Sequence, residues 1–473
     1  MHPLAELDLA HHWHPFTQMR DWLEREPIVI ASGRGAVLRD VYGRQYLDAN
    51  SSIWTNLHGH NHPGLNRALQ SQLRKVAHVS ALGFANPPAA RLAARLIGLA
   101  HSSGDPALTK VFFSDNGSTA MEVALKLAYE FTRRSGRTAK PRFLSLAGAY
   151  HGDTVGAVSL GHIDLFHRAY GGLLFKSDQV MAPYCYRCPF NRARPERADA
   201  REYRRCQWQC VDQVEARFAR ATRQDRPYSA FVFEPRIQGA AGMIPQPDGW
   251  LQRVAKIARA HRALLIADEV LTAFGRAVSS ENPKTGMPAL ASHAEGVRPD
   301  FVALAKGLTG GDLLMAATLT TPAGVAACRG CYAEFKTFFH GHSYTANPLA
   351  AATALANLDL LDSRTSIDAR HRLHTALRHE LASLWALPGV GDVRQVGRIA
   401  GIELVRNWRT REPFDLRDQA GIRVCEAMAR RGVLTRPIGN VIVIVPPYCA
   451  SPVQVHRMVR ALRLSVAEVL GSR

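Results

Sequence analysis

The chain has 473 residues, of which 47% are hydrophobic and 21% are charged, a composition ordinary for a globular protein with a large core. No apolar run approaches the roughly 20 residues needed to cross a bilayer, and the N-terminus lacks the basic-then-apolar pattern of a secretory signal. The sequence therefore predicts a cytoplasmic protein of two or three structural units with no membrane partner.

The chain is strongly basic, with a formal net charge of +19. Such a charge is typical of proteins that bind nucleic acids or anionic membranes. Here, however, the arginines are spread along the whole chain, and no basic run alternates with aromatic residues. No common nucleic-acid-binding module is recognisable either. We therefore expect arginine to replace lysine over the surface, and we expect no nucleic-acid partner.

The N-terminal part contains two segments that are poor in regular structure and rich in aromatic groups. Residues 13–19 place aromatic and polar side chains on both sides of a proline, which favours a lid over a pocket. Residues 35–47 alternate in the manner of a β-hairpin. Residues 50–60 have no amphipathic period; most such loops are merely irregular, but Trp54 could form a wall of a binding site.

A possible phosphate site follows the strand-like run 111–113, which leads through a small polar turn into an amphipathic helix predicted over 119–132. Backbone N–H groups at such a turn, together with the helix dipole, can hold a phosphate. The signal is weak on its own, because Asn116 or Ser118 could simply cap the helix.

Two further strand-like runs end in side chains suited to a flat, charged ring. Residues 143–146 lead to Tyr150, which could stack on a ring or simply close the core. Residues 263–267 end at Asp268. A carboxylate there would be costly without a cationic partner, such as a protonated ring nitrogen or an arginine.

The most informative stretch is the apolar run 301–305, which ends in Lys306 with a glycine-rich segment directly behind it. Glycines let the backbone turn sharply and approach a ligand closely. Burial would lower the pKa of this lysine and leave its amine nucleophilic, as a Schiff-base lysine requires. The competing interpretation is a lysine that snorkels from a strand edge. No other lysine of the chain combines an apolar approach with a glycine-rich exit.

Together these runs indicate an α/β fold with a mostly parallel sheet. Ligands of open parallel sheets gather at the carboxyl ends of the strands, so the phosphate site, the aromatic face, the buried carboxylate and the lysine would converge. Pyridoxal 5'-phosphate needs this set of groups: a phosphate anchor, a ring stack, an anion at the pyridine nitrogen and an amine for its aldehyde. The sequence therefore predicts a pyridoxal-phosphate site.

Four of the eight cysteines lie close together in the sequence, at Cys185, Cys188, Cys206 and Cys210. Their C-x2-C and C-x3-C spacings are close to those of a zinc ribbon, and an iron–sulfur cluster could use the same thiolates. The alternative is four reduced thiols in a surface insertion. The sequence leaves both interpretations open.

Five short motifs carry a family resemblance: Trp-His-Pro-Phe-Thr, Ser-Ser-Ile-Trp, His-Gly-His-Asn-His-Pro, Tyr-His-Gly-Asp-Thr and Thr-Arg-Pro-Ile-Gly. Through them the chain resembles the class III, fold-type I pyridoxal-phosphate aminotransferases over nearly its whole length. The resemblance implies a homodimer with an α/β fold. A large cofactor domain with a mostly parallel sheet of seven-stranded type would span residues 66–344, and residues 1–65 and 345–473 would form a smaller α+β domain.

The resemblance also implies cofactor roles. Lys306 would bind the cofactor aldehyde and shuttle a proton, Asp268 would keep the pyridine nitrogen protonated, and Tyr150 would stack on the ring. The remaining cofactor contacts would be Gly117, Ser118, Glu234, Gln238 and Ser343 of the partner subunit.

The motifs are most similar to those of family members that aminate 8-amino-7-oxononanoate in biotin synthesis. By this resemblance Arg436 would bind the carboxylate of the acceptor, since a planar guanidinium can hold a carboxylate bidentately. Trp54 and Gly341 would line the substrate channel together with Phe16, and Asp153 would lie near the substrate amine.

Two residues depart from the pattern of the members that use S-adenosyl-L-methionine as amino donor. Those members often have tyrosine in place of Phe16 and tryptophan in place of Ile53, whereas lysine-using members tolerate phenylalanine and an aliphatic residue. S-adenosyl-L-methionine is the first expected donor and lysine the alternative. A transfer from another ω-amine to a keto acid is a further alternative. The intact Lys306 and Asp268 disfavour a retired scaffold that acts as a basic binding protein.

Overall fold

The computed structural model describes residues 1–278 and 290–471, and a seven-stranded sheet forms its centre. From one edge to the other, the sheet consists of Lys110–Ser114, Ala316–Thr320, Phe301–Leu304, Leu264–Asp268, Ala230–Phe233, Phe143–Leu146 and Asp178–Val180. Only Ala316–Thr320 runs antiparallel to the strand on each side of it. The other neighbouring strands pair in parallel, which confirms the predicted α/β class with a mostly parallel sheet.

Both faces of this sheet are buried, which explains why its strands are continuous apolar runs rather than alternating ones. Successive side chains of a strand point to opposite faces. On one face Val232 and Ile266 pack against the helix Gly117–Arg134. On the other face Phe231 and Leu265 belong to a second cluster, to which the helices Gln209–Arg223 and Trp250–Ala260 contribute.

Ten helices of nine or more residues lie in the described part of the chain. They are Pro3–His11, Pro63–Leu73, Pro87–Ser102, Gly117–Arg134, Gln209–Arg223, Trp250–Ala260, Pro348–Asp362, Arg364–Leu381, Ala420–Arg430 and Pro452–Leu470. Shorter helical segments are Met19–Leu23, Ser51–Trp54, Val155–Leu160, Asp164–His167, Ala200–Tyr203, Ala291–Ala294 and Pro322–Ala326. None of the described helices has both the length and the apolar character that a membrane crossing requires.

Two smaller sheets use strands from near the two chain ends. The first has the order Ile30–Arg34, Val37–Asp40, Gln45–Asp48 and Val433–Leu434, so the predicted hairpin over 35–47 is confirmed. The second has the order Val390–Val396, Ile399–Asn407, Val441–Ile444 and Pro437–Ile438, with Glu412–Pro413 at its side. The domain boundaries near residues 65 and 345 stay a prediction.

Several arginines lie inside the protein, in addition to those expected on its surface. Arg276, Arg370, Arg394 and Arg398 are among the largest fully buried side chains. Arg276 donates from Nη1 to the carbonyl of Pro446 (2.7 Å) and from Nη2 to that of Asn56 (3.0 Å). A guanidinium with several donors can satisfy carbonyls of separate segments that the fold buries. Some of the arginines therefore stabilise the interior through hydrogen bonds to buried backbone carbonyls.

Candidate active site

A cavity of about 450 Å³ opens at the carboxyl edge of the seven-stranded sheet. The segments that leave five strands contribute to its wall, because those strands run in the same direction. Of the residues singled out in the sequence, the cavity brings together Trp54, Gly117, Ser118, Tyr150, Glu234, Asp268 and Lys306.

Lys306 lies at the exit of the strand Phe301–Leu304, in a tight turn with a left-handed backbone (φ 44°). Burial lowers the pKa of Lys306, although the negative charges of Asp268 and Glu234 partly oppose that shift. Its Nζ lies 4.9 Å from the centre of the Trp54 ring. The side chain is thus held in the cavity with a larger uncharged fraction than an exposed lysine has.

Asp268 ends the central strand Leu264–Asp268 and is paired with a histidine that the sequence analysis did not single out. Its Oδ2 lies 2.8 Å from Nδ1 of His151, whose side chain is fully buried. The backbone N–H of Val270 donates to Oδ1 (3.1 Å). His151 stands between Tyr150 and Gly152 in the Tyr-His-Gly-Asp-Thr motif, and that position was the only signal the sequence offered.

The helix Gly117–Arg134 points its N-terminus at the cavity. Asn116 caps it, since its side chain accepts a hydrogen bond from the N–H of Thr119, so this residue is the cap that the sequence left open. Ser118 lines the cavity, and its Oγ accepts the N–H of Asp153 (3.1 Å). A Cβ at Gly117 would lie 2.9 Å from a methyl of Val270, so only glycine fits there without a shift.

Tyr150 and Asp153 form a pair at the mouth of the cavity. The Tyr150 hydroxyl donates to Oδ2 of Asp153 (2.7 Å). Burial and this hydrogen bond raise the pKa of Tyr150 far above its ordinary value, so the phenol stays protonated. The Tyr150 ring lies 6.3 Å from the ring of Phe166, which in turn lies 5.3 Å from the ring of Phe16.

Glu234 follows the strand Ala230–Phe233 and is a buried carboxyl without a close cationic partner among the described residues. Its Oε2 accepts the N–H of Gly239 (2.8 Å). Burial and the neighbouring Asp268 raise the pKa of Glu234 to about 7, although His151 opposes the shift. Near neutral pH this side chain is therefore protonated in a substantial fraction of molecules.

The turn that carries Trp54 has an unusual backbone. Ser51, Ser52, Ile53 and Trp54 all have positive φ, with values of 46°, 58°, 102° and 68°. Residues other than glycine rarely adopt this region, and for β-branched Ile53 it is strained. The turn is held by its surroundings: the Trp54 indole donates to Asn50 Oδ1 (2.8 Å).

The predicted substrate residues Phe16 and Arg436 lie outside the cavity wall and meet each other. Arg436 donates from Nη2 to the carbonyl oxygen of Phe16 (3.3 Å), and both side chains are exposed. Gly341 and Ser343 lie in an exposed segment and do not line the cavity of this subunit. Gln238 is buried beside the site and donates to the carbonyl of Ala147 (3.1 Å).

All eight cysteines are unpaired thiols. In the cluster predicted from sequence, Cys185 and Cys210 are buried and Cys188 and Cys206 are half-buried. Burial raises the pKa of Cys185 to about 12, and the other three thiols add to the shift. Within the described ranges no three of these sulfur atoms lie within 4.8 Å of one another, so the closed arrangement of a bound metal is not formed.

The groups in the cavity fit pyridoxal phosphate. In and beside the cavity, three buried polar atoms have no hydrogen-bond partner among the described residues: His151 Nε2, Glu234 Oε1 and Gln238 Oε1. The first turn of a long helix offers free N–H groups to a phosphate. A buried carboxylate and a lysine of lowered pKa complete the set. Fold and site together define a protein of the pyridoxal-phosphate-dependent transferase class.

A family model described as aminotransferase class-III matches residues 19–466. The chain belongs to this family.

Two curated relatives show the same likeness over nearly the full chain. The adenosylmethionine-8-amino-7-oxononanoate aminotransferase of Geobacter sulfurreducens is 44% identical over 468 residues, which cover 99% of this chain and 98% of that protein. The protein of the same name from Aquifex aeolicus is 40% identical over 467 residues, with 98% and 97% covered.

Solved structures agree with this. The adenosylmethionine-8-amino-7-oxononanoate aminotransferase of Methanocaldococcus jannaschii superposes with a TM-score of 0.87 at 36% identity, covering 98% of this chain and 99% of that one. An amine transaminase from an uncultivated Pseudomonas species, solved in its PLP-bound form, has a TM-score of 0.86 at 32% identity, with 97% and 98% covered.

Proposed function

We propose that this aminotransferase converts 8-amino-7-oxononanoate to 7,8-diaminononanoate in biotin synthesis, with pyridoxal phosphate as cofactor and S-adenosyl-L-methionine as amino donor. The observation that carries the proposal is the cavity in which Lys306 and Asp268 meet beside a helix N-terminus. The names of the relatives, which are 44% and 40% identical over nearly the whole chain, support the choice of substrate.

The chain's own residues divide the work of holding the cofactor. Gly117 and Ser118 would bind the phosphate through the N-terminus of their helix. Asp268, oriented by its contact with His151, would hold the proton on the ring nitrogen. Tyr150 would lie against the ring. When bound, pyridoxal phosphate supplies an aldehyde for the amino group and an electron-accepting ring.

Lys306 would transfer the proton of the substrate carbon. Because burial lowers its pKa, its amine has an uncharged fraction that can take a proton from the substrate carbon and return it to the product. The Trp54 ring against Nζ limits the directions in which the amine can move. The protonated Tyr150 hydroxyl can donate a hydrogen bond but cannot act as a base near neutral pH.

Arg436 would recognise the acceptor. Its guanidinium is exposed and donates a hydrogen bond to the carbonyl of Phe16, which leaves other donors available for a carboxylate. The acceptor carries its carboxylate at the end of a long apolar chain, which suits a cation set apart from the reacting groups. Asp153, close to Tyr150, would lie near the substrate amine.

A second donor, lysine, is favoured by the entrance itself. Phe16 is 58% exposed, and Ile53, which precedes the cavity residue Trp54, is 42% exposed. Phe16 offers no hydroxyl and Ile53 no aromatic face to an adenosyl group. Transfer from another ω-amine to a keto acid is the broader alternative.

We also propose a cytoplasmic homodimer. Large apolar side chains are exposed on two neighbouring segments: Leu82 and Phe84 on one, and Tyr332, Phe335, Phe339 and Tyr344 on the other. The segments touch, because the Tyr344 ring lies 4.6 Å from that of His78. Exposed apolar patches of this kind mark interaction surfaces. In the dimer, Ser343 of the partner subunit and the partner's Gly341 would complete the phosphate site and the substrate channel.

The proposal is tested by separate half-reactions of the purified holoenzyme. S-adenosyl-L-methionine, lysine and alanine are each added alone while the visible absorption of the cofactor is followed. We expect a donor to bleach the band and 8-amino-7-oxononanoate to restore it. Restoration by pyruvate but not by 8-amino-7-oxononanoate would replace the proposal with the broader ω-amine reaction.

A further inference from the structure

We propose that Asp8, His12 and His14 form a binding site for a divalent transition-metal cation of the Zn²⁺ type, at the end of the first helix. Nδ1 of His12 lies 3.2 Å from Oδ1 of Asp8, and Nε2 of His14 lies 3.0 and 2.9 Å from the two carboxylate oxygens. One ligand atom from each residue lies within 4.8 Å of the other two, the only such group in the described ranges. Atoms bound to one Zn²⁺ at about 2.0–2.1 Å have similar separations.

The ligand types select the ion. Two imidazoles with one carboxylate suit Zn²⁺, Co²⁺ or Ni²⁺, whereas Mg²⁺ and Ca²⁺ prefer oxygen ligands alone. The side chains of Asp8 and His14 are 22% and 20% exposed and that of His12 is 60% exposed, so an ion can enter from solvent. Three protein ligands leave a coordination position for water.

Neighbouring groups orient the ligands without needing an ion. The indole N–H of Trp22 donates to Oδ2 of Asp8 (3.2 Å), and the Trp22 ring lies 4.4 Å from the ring of His14. The rings of His12 and His14 are 4.1 Å apart. Such supporting contacts are the usual setting of metal-binding carboxylates and histidines. In the absence of an ion the same side chains share hydrogen bonds, which is the structural alternative that the experiment must exclude.

The position of the group has a consequence for the entrance to the cavity. His14 stands two residues before Phe16. The carbonyl of Phe16 accepts a hydrogen bond from the Arg436 guanidinium, and its ring packs against the ring of Phe166. An ion bound by Asp8, His12 and His14 would fix the start of this segment. Resting on the proposed function, this predicts that Zn²⁺ lowers the KM for the acceptor and leaves the donor half-reaction unchanged.

The experiment uses holoenzyme without a histidine tag, freed of metal by dialysis, and calorimetric titration with Zn²⁺. His12→Ala tests the site, and His11→Ala is the matched control, because His11 is the adjacent imidazole outside the group. We expect His12→Ala to weaken one equivalent of binding by at least about 10-fold, with His11→Ala unchanged. Both residues are exposed, so both variants should unfold at the wild-type temperature.

Co²⁺ separates this site from the cysteine cluster. Nitrogen and oxygen ligands give visible d–d bands without the near-ultraviolet charge-transfer band of thiolates, and we expect His12→Ala to remove the d–d bands. Equal binding by wild type and His12→Ala, or a thiolate band alone, would overturn the proposal. If the ion binds but 8-amino-7-oxononanoate does not react, the metal site stands and the proposed function fails.

Discussion

The bottom of the cavity and its entrance are built in different ways. At the bottom, Lys306 and Asp268 leave adjacent buried strands, with His151 beside Asp268 and the Trp54 ring beside Lys306. Phe16 and Arg436, which we propose form the entrance, come from opposite ends of the chain, are exposed, and meet through one hydrogen bond to a backbone carbonyl. The difference shows how one fold can keep its chemistry constant while its substrates change: the sheet fixes the reacting groups, and loops set what reaches them.

Lys306→Ala is the strongest test of the reacting groups at the bottom of the cavity. We expect turnover to fall by at least about 10³-fold, since the variant loses both the amine and the proton carrier. The variant should still fold, because the side chain that it lacks lines the cavity. Lys256→Ala, an exposed lysine on the helix Trp250–Ala260, is the control and should keep wild-type activity. Near wild-type turnover of Lys306→Ala would end the assignment of this lysine.

Arg436→Ala tests the entrance. We expect the KM for 8-amino-7-oxononanoate to rise by about 30-fold, equivalent to roughly 2 kcal/mol of lost charged hydrogen bonding. The donor half-reaction should change much less. Arg417→Ala, which removes a side chain that is 93% exposed nearby in the chain, controls for the loss of positive charge. Equal damage to both half-reactions would instead mean that Arg436 serves both substrates in turn.

Glu234→Gln tests whether burial raises the pKa of the carboxyl at the bottom of the cavity. The pKa of Glu234 in the folded protein is raised to about 7 from 4.5, so the folded state holds an extra proton between these values. Wild-type cofactor-free protein should therefore lose stability as the pH rises from about 4.5 to about 7, by up to roughly 3 kcal/mol. The glutamine variant should lack this loss.

The measurement for Glu234→Gln is the free energy of unfolding in urea at pH 5 and pH 8. Glu215→Gln, an exposed position on the helix Gln209–Arg223, should keep the wild-type pH dependence. If wild type and Glu234→Gln changed stability equally between the two pH values, the carboxyl would be ionised throughout the range.

The smallest expected effect is that of Phe16→Tyr. A hydroxyl at the mouth can add one hydrogen bond, worth about 0.5 to 1.5 kcal/mol. We expect the ratio of kcat/KM for S-adenosyl-L-methionine to that for lysine to rise by roughly 3- to 10-fold. Phe414→Tyr, at a phenylalanine that does not line the cavity and packs against Arg406, should leave the ratio unchanged. A fall in the ratio would show that the entrance selects its donor by some other contact.

The strands and their exits could be predicted because burial on both faces leaves a local signature. Phe301–Leu304 is a continuous apolar run that Lys306 follows after one alanine, and the apolar residues of Leu264–Asp268 lead directly to Asp268. A parallel sheet then brings the two ends together without any knowledge of side-chain contacts. The helix Gly117–Arg134 is predicted over 119–132 from its amphipathic spacing after a small polar turn, and the structure extends it by two residues at each end.

The remaining features depend on contacts between segments that are distant in sequence. His151 meets Asp268 across 117 residues, and nothing local in the Tyr-His-Gly stretch indicates that pairing. The interior role of Arg276 depends on carbonyls at Asn56 and Pro446. The cysteine spacing left a metal site and four free thiols open, and in the described residues no three of these sulfur atoms lie within 4.8 Å of one another. Spacing identifies which residues are available, and the tertiary fold decides which of them meet.

The left-handed turn over Ser51 to Trp54 has a consequence for anyone who redesigns this enzyme for new amines. Ile53, at φ 102°, is held in a conformation that glycine would adopt freely and that bulky residues resist. A substitution there alters the strain of the turn that carries Trp54, whose ring lies 4.9 Å from Nζ of Lys306. Libraries at residue 53 will therefore confound pocket size with loop geometry, unless Trp54 or its anchor Asn50 is varied in the same library.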